Sequence, residues 1–224
     1  MNYFAHGRQF VDDPYFLAGT AVPDWLNVVD RSTRVRSRQA LEHVGDPDPH
    51  VAAVARGIAR HCHDDAWFHA TRAFAELSLE LTVQSRTRLN EDAGFRPHFI
   101  GHILVEILLD AALIAADPDR LEAWYRALDR LEADRVARAV GQMGRGGGKS
   151  LAIFIPKFSH ERFLWDYLDD DKLMLRLNQV MRRVELPCLP ADFARLLPTA
   201  RRLVSRRQDE LLTVPTVESR NGAP

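Results

Sequence analysis

The chain has 224 residues, enough for one domain with a real core, and its 30 Lys and Arg nearly cancel 31 Asp and Glu. That balance excludes the strong global field of a general nucleic-acid or anionic-membrane binder. Cys62 and Cys188 are too few for a disulfide framework or a cysteine-rich zinc knuckle.

The opening MNYFAHGRQF lacks the basic-then-apolar order of a secretion signal. The longest apolar run is interrupted by Glu106 and falls short of the ~20 residues that cross a bilayer. A cytoplasmic protein with no membrane contact is therefore expected. From Pro49 to Ser85, apolar residues recur at helical spacing: Val51, Val54, Ile58, Trp67, Phe74, Leu77 and Leu81. Arg96-Pro97 opens a second helix that runs to Asp117-Pro118, where proline stops it and starts a third, amphipathic one, PDRLEAWYRALDRLEADRVARAV. LAIFI (151–155) reads as the one strand-like run. FLWDYLDDDKLMLRLNQVMRRV and ADFARLLPTARRLVSRRQDELL read as two further helices separated by LPCLP. The fold class is all-α, a compact single helical domain over 1–211 with a flexible tail over 212–224.

HCHDDAWFH (61–69) concentrates metal-capable side chains. On one helix, His61, Asp65 and His69 stand at i, i+4 and i+8, within ~80° of one face, so successive pairs are near enough to share an ion. His63 falls roughly opposite His61, with Asp64 off to the side. The second helix repeats the device with His98, His102, Glu106 and Asp110. Glu106 lies among apolar residues, and a carboxylate desolvated alone costs many kcal/mol unless a cation or hydrogen-bond partner meets it. Two such rows, without cysteine ligands, predict a metal site between facing helices, or else a buried His–carboxylate network. Imidazole and carboxylate suit Zn, Fe, Mn or Ni, as one or two ions.

GRGGGKS (144–150) resembles a phosphate loop, but Met143 stands where the consensus needs glycine, and a helix precedes it in place of a strand. It reads as a flexible lid or connector, with Lys149 free to meet a phosphate. The basic runs at 31–38 and 201–207 read as solvated surface, or as a dock for an acidic partner, without nucleic-acid binding.

Several short motifs, in order, resemble the acyl carrier protein phosphodiesterase family, helical hydrolases distantly related to the HD-domain metal-dependent phosphohydrolases. MNYFAH is similar to that family's opening; FLAGTAVPD places Gly19 and Asp24 on its Leu-x-Gly-x-x-x-x-Asp element. GIARHCHDDAWFH places Gly57, Ile58, His61, Asp65 and Ala66 on a second element, and GHILVEILLD puts His102 and Glu106 at two acidic places of a third. FLWDYLDDDKLMLRLNQVMRR resembles a later helix, while 112–150 is unmatched. Cys62 stands where the family usually has arginine, His69 and His102 stand for aspartates, and Ile107 for a histidine. That nitrogen-richer set shifts the expected ion from Mn or Mg toward Zn, Fe or Ni.

The resemblance implies a metal-dependent phosphodiesterase or phosphatase, with His6, His61, Asp65, His69, His102 and Glu106 as ligands. Its catalytic residues would be Asp24, the candidate general base, and Asp65. Asp110 and His98 would stand behind the ligands and orient them. An ion so held lowers the pKa of a bound water and polarises a phosphoryl oxygen. The substrate would be a small-molecule or protein-attached phosphoester, such as the arm of acyl carrier protein, with Lys149 or an arginine neutralising phosphate. The alternatives are a non-catalytic helical scaffold with a structural metal or polar core, or a metal-dependent redox protein, although the Glu-x-x-His motif of di-iron bundles is absent.

Overall fold

The periodic segments fold as helices, but in shorter pieces than apolar spacing alone predicts. A computed structural model describes residues 1–89, 94–144 and 147–214, and no strand occurs among them. In chain order the helices are α1 (Tyr3–Gly7), α2 (Pro14–Val29), α3 (Ser37–Leu41), α4 (Pro49–Phe68), α5 (Arg72–Arg86) and α6 (Pro97–Ala116). They continue as α7 (Pro118–Asp129), α8 (Ala133–Met143), α9 (Leu151–Glu161), α10 (Asp170–Arg183), α11 (Leu197–Arg206) and α12 (Gln208–Leu212). Short 3₁₀ segments, Phe163–Leu168 and Ala191–Leu196, precede α10 and α11. The expected all-α class is thus observed, and most of the predicted tail, 215–224, lies outside the described residues.

Three helices begin with the same device. Asp13-Pro14, Asp48-Pro49 and Asp117-Pro118 place a proline at the first helical position, where its missing N–H costs nothing, and the aspartate carboxylate accepts an orphan N–H of the first turn. The helix expected over 49–85 breaks after Phe68. There Thr71 donates its hydroxyl to the Phe68 carbonyl and accepts the Phe74 N–H, ending one helix and capping the next. The segment expected as one helix over 118–140 breaks similarly at Arg130–Glu132, between α7 and α8.

LAIFI is helical, not a strand: Leu151 and Ile155 are buried one turn apart while Ile153 is 66% exposed. A five-residue apolar run carries no periodicity long enough to tell the two apart.

α2 lies along α4, and α5 along α6. The α2–α4 crossing is close because Gly19 and Gly57 meet without side chains. A Cβ on Gly19 would lie 2.8 Å from the Gly57 Cα and collide with the Val54 carbonyl; one on Gly57 would lie 2.7 Å from the Gly19 Cα and collide with the Phe16 carbonyl. Trp25, Trp124, Tyr125, Phe4, Phe68 and Phe193 fill the core around these helices.

α6 amends one expectation. By length and a mean hydropathy of 2.0 over its most apolar stretch, it is long and apolar enough to cross a membrane, although 61% of that stretch is buried within the fold. Its apolar residues, among them Leu104, Val105, Leu108, Leu109 and Ile114, are core.

Among the described residues of the glycine-rich segment, Gly144, Gly147 and Gly148 pack against Thr33, Val35 and Val140. Gly147 lies so close to Thr33 that no Cβ fits, and Gly148 has φ +89°, a left-handed conformation suited to glycine. Asp30 fixes Thr33 there by accepting both its hydroxyl and its N–H. Arg145 and Gly146 lie outside the described residues.

Candidate metal centre

α4 ends at Phe68, and the row His61, Asp65, His69 divides there. His61 and Asp65 stay on α4 and meet His6 from α1; His69, beyond the helix, turns to His102 and Glu106 of α6. Each group offers two imidazoles and one carboxylate whose candidate ligand atoms lie within 4.8 Å of one another.

In the first triad, His6 Nε2 lies 3.2 Å from Asp65 Oδ1 and His61 Nε2 lies 3.4 Å from Asp65 Oδ2. Two ligands of one tetrahedral ion with bonds of about 2.0–2.1 Å stand about 3.3 Å apart, so the spacing fits. The His6 and His61 rings stack with centroids 4.1 Å apart. His61 Nδ1 lies 2.8 Å from the Thr20 carbonyl oxygen. A carbonyl only accepts, so Nδ1 carries a proton, and Nε2 is the ring nitrogen turned toward Asp65, the one an ion would take in exchange for a proton. The Gly19–Gly57 crossing brings that carbonyl within reach. Pro23, inside α2, supplies no N–H for the Gly19 carbonyl and loosens the same turn.

In the second triad, His69 Nε2 lies 2.9 Å and His102 Nε2 3.4 Å from Glu106 Oε1. These two histidines are more open, with 34% and 41% of their side-chain surfaces exposed. The two triads are joined by one positive centre. The Met1 amino nitrogen lies 2.7 Å from Asp65 Oδ1 and 3.2 Å from Glu106 Oε1. Burial disfavours its charge, but Glu106 and Asp65 outweigh that and raise its pKa.

The carboxylates are held ionised. Burial pushes Asp65 upward, but His6, His61 and the Met1 ammonium bring it well below the usual carboxylate range. Glu106 is treated alike: burial opposes, and His102, His69 and the ammonium prevail. Burial lowers the His61 pKa and the Asp65 and Asp24 carboxylates raise it, with a net upward result. Donor chemistry therefore fits a borderline divalent ion. A second observation agrees: His6 is 2% exposed, yet neither of its ring nitrogens has a hydrogen-bond partner among the described residues. A buried imidazole without a hydrogen bond is costly; Nε2 has Asp65 at ion-pair distance, and a cation shared by the two would satisfy that nitrogen.

Asp24 and Glu106 line one cavity of about 640 Å³ among α2, α6, α9 and α10. Burial raises the Asp24 pKa, and the nearby His61 and His6 oppose that rise. A smaller cavity beside Asp12, Arg126 and Asp129 holds no triad residue.

Three residues are placed differently from the expectation. Asp110 orients neither His102 nor Glu106; it is fully buried and accepts the Phe4 N–H at 2.9 Å and the Ala5 N–H at 2.7 Å, fastening α1 to α6. His98 is exposed at the start of α6 and belongs to neither triad. Lys149 is exposed and does not line the cavity; Arg31, Arg34, Lys157, Arg176 and Arg183 do.

One residue set aside in the sequence takes a part here. Asp64 is 2% exposed, accepts Arg60 Nε at 2.7 Å and Trp67 Nε1 at 3.1 Å, and stands 3.8 Å from His6 Nδ1. Its signal was its place on the buried stripe Val54, Ile58, His61, Phe68 of α4. His63 faces solvent.

Asp110 also gives a pH dependence. Burial pushes its carboxyl up to about 7, against the two N–H bonds that favour the ionised form. A carboxyl raised in the folded state stabilises the fold fully below its ordinary pKa and loses that contribution as pH rises through the folded value. Stability should therefore fall by up to about 4 kcal/mol from this group between about pH 4 and pH 8. Asp110→Asn should flatten that slope in urea titrations while costing about 1–3 kcal/mol, since an amide leaves one of the two N–H groups unpaired. An unchanged slope would remove Asp110 as its source.

No family model, curated protein or solved structure matches this chain.

Proposed function

We propose that this chain is a metal-dependent hydrolase of phosphate esters, a phosphodiesterase or phosphatase on an HD-domain-like helical frame. It would be akin to the acyl carrier protein phosphodiesterases and act in the cytoplasm. The observation that carries the reading is the pair of two-histidine, one-carboxylate triads meeting beside a cavity with a basic rim. His6, His61 and Asp65 would hold one Zn, Fe, Mn or Ni ion, and His69, His102 and Glu106 a second. Bound there, such ions supply an acidified water and charge neutralisation for a phosphoryl oxygen.

The remaining work falls to the chain. The Thr20 carbonyl orients His61, and Asp64 adds a negative charge 3.8 Å from His6 Nδ1. Asp24, raised by burial and lining the same cavity as Glu106, takes a proton from the attacking water. As the water oxygen bonds to phosphorus, the bond from phosphorus to the ester oxygen breaks, and Asp24 returns the proton to that leaving oxygen.

Elemental analysis after loading with each ion, followed by assays on p-nitrophenyl phosphate and bis(p-nitrophenyl) phosphate, tests this. Wild type should hold stoichiometric metal and turn over at least one ester. His61→Ala should lose metal from its triad, and His63→Ala should keep it. No stoichiometric metal would sink the reading; a metal other than iron, held without turnover by any loaded form, would assign the chain to the scaffold alternative. The same donor set suits a non-haem iron redox centre, which retention of iron alone, without ester turnover, would favour.

A further inference from the structure

The cavity beside the triads is far larger than a phosphate group, and its charges are unevenly placed. Asp24 and Glu106 mark the end next to the triads. Arg31 marks the other: its Nε donates to the Asn27 carbonyl at the end of α2, and its Nη2 donates to the Arg183 carbonyl at the end of α10. Arg31 thus stands one to two helical turns, about 5–10 Å, beyond Asp24 along α2. Arg34 and Arg183 line the same region.

These cations are not spent on carboxylates. Among the described residues, Arg31, Arg34, Lys157 and Arg183 form no ion pair, whereas Arg176 is held by Asp166 at 2.6 Å. The same cavity is lined by apolar side chains, Ile103 and Ile107 from α6 and Phe154 and Phe158 from α9. Three arginines that line one concave site, none of them ion-paired among the described residues, suit an anion.

We propose that the substrate carries two anionic groups separated by an apolar spacer: the scissile phosphate at the triads and a second phosphate or carboxylate held by Arg31, Arg34 and Arg183. The proposal rests on the hydrolase reading only for what happens at the triad end. Recognition at the distal end follows from the cavity itself.

The test uses the full-length, metal-loaded protein and two probes, hexane-1,6-bisphosphate and hexyl phosphate, compared by isothermal titration calorimetry. The bisphosphate should bind about tenfold more tightly, the gain of one charge-assisted anion contact. That ratio should collapse toward one in the triple variant Arg31→Gln, Arg34→Gln, Arg183→Gln. Since Arg31 also caps two helix ends, Arg34→Gln alone and a salt titration of wild type are measured beside it. Both should shrink the ratio, because exposed charge contacts are screened. Equal affinity of the two probes for wild type overturns the proposal, as does a ratio unmoved by the variants and by salt. Preference for the bisphosphate in a protein that cleaves no ester would leave the two-anion site standing and end the hydrolase reading. Turnover with no preference would do the reverse.

Discussion

Gly57→Ala should destabilise the protein by about 3 kcal/mol or more and empty the first triad of metal. The added Cβ would strike the Phe16 carbonyl and sit 2.7 Å from the Gly19 Cα, both of them backbone, so no side-chain rotation relieves it. α2 and α4 must part, and overpacking of this kind sits at the upper end of its usual 1–3 kcal/mol range. The separation also draws the Thr20 carbonyl away from His61 Nδ1, now 2.8 Å distant, and frees the ring to turn. Urea denaturation together with metal analysis checks both halves. A variant that lost stability but kept its metal would show that the glycine contact does not set the His61 geometry.

Asp65→Asn should lower metal affinity at the first triad by more than the ~10–100-fold that changes behind a ligand cost, and should lower turnover with it. Asp65 is the one residue of that triad that reaches both histidines, and it also binds the Met1 ammonium. The amide keeps the shape and removes the charge, so two imidazoles and an ammonium lose their shared counter-ion. Its effect on the fold should be smaller than that of Gly57→Ala, because Asp65 is one-third exposed and solvent can replace part of what is lost. Equilibrium dialysis with a single ion, read alongside a thermal melt, separates the two effects. Unaltered affinity would remove Asp65 from the ligand set.

How far the sequence carries can be followed through α4 and α6. Proline positions and apolar spacing place the starts of both helices, and the four-residue recurrence of His61 with Asp65 and of His102 with Glu106 identifies side chains that the fold does bring together. The same recurrence points astray at His69 and Asp110. His69 keeps the helical N–H bond to the Asp65 carbonyl as the last residue of α4's turn, but its ring lies against His102 and Glu106 of α6 and leaves the row. Asp110 keeps helical register with Glu106 but faces α1, and register along one helix says nothing about which neighbour lies against which turn. The cavity's basic rim was least legible. The run 31–38 is visible in sequence as basic, but Arg183 is an ordinary surface type there, and only the approach of the segment after α2 to the end of α10 joins them.

α1 has five residues, too few to hold helical shape by itself. Its place depends on the buried Phe4 side chain and on two N–H groups resting on Asp110, and His6 travels with it. An ion bound at His6, His61 and Asp65 therefore also ties the N-terminal segment to the body of the molecule. By linkage, whatever loosens that segment weakens the ion's binding, and the ion disfavours the segment's release by the same free energy. Amide hydrogen exchange at Phe4 and Ala5, slow with metal and faster without it, would report occupancy of the centre from outside it.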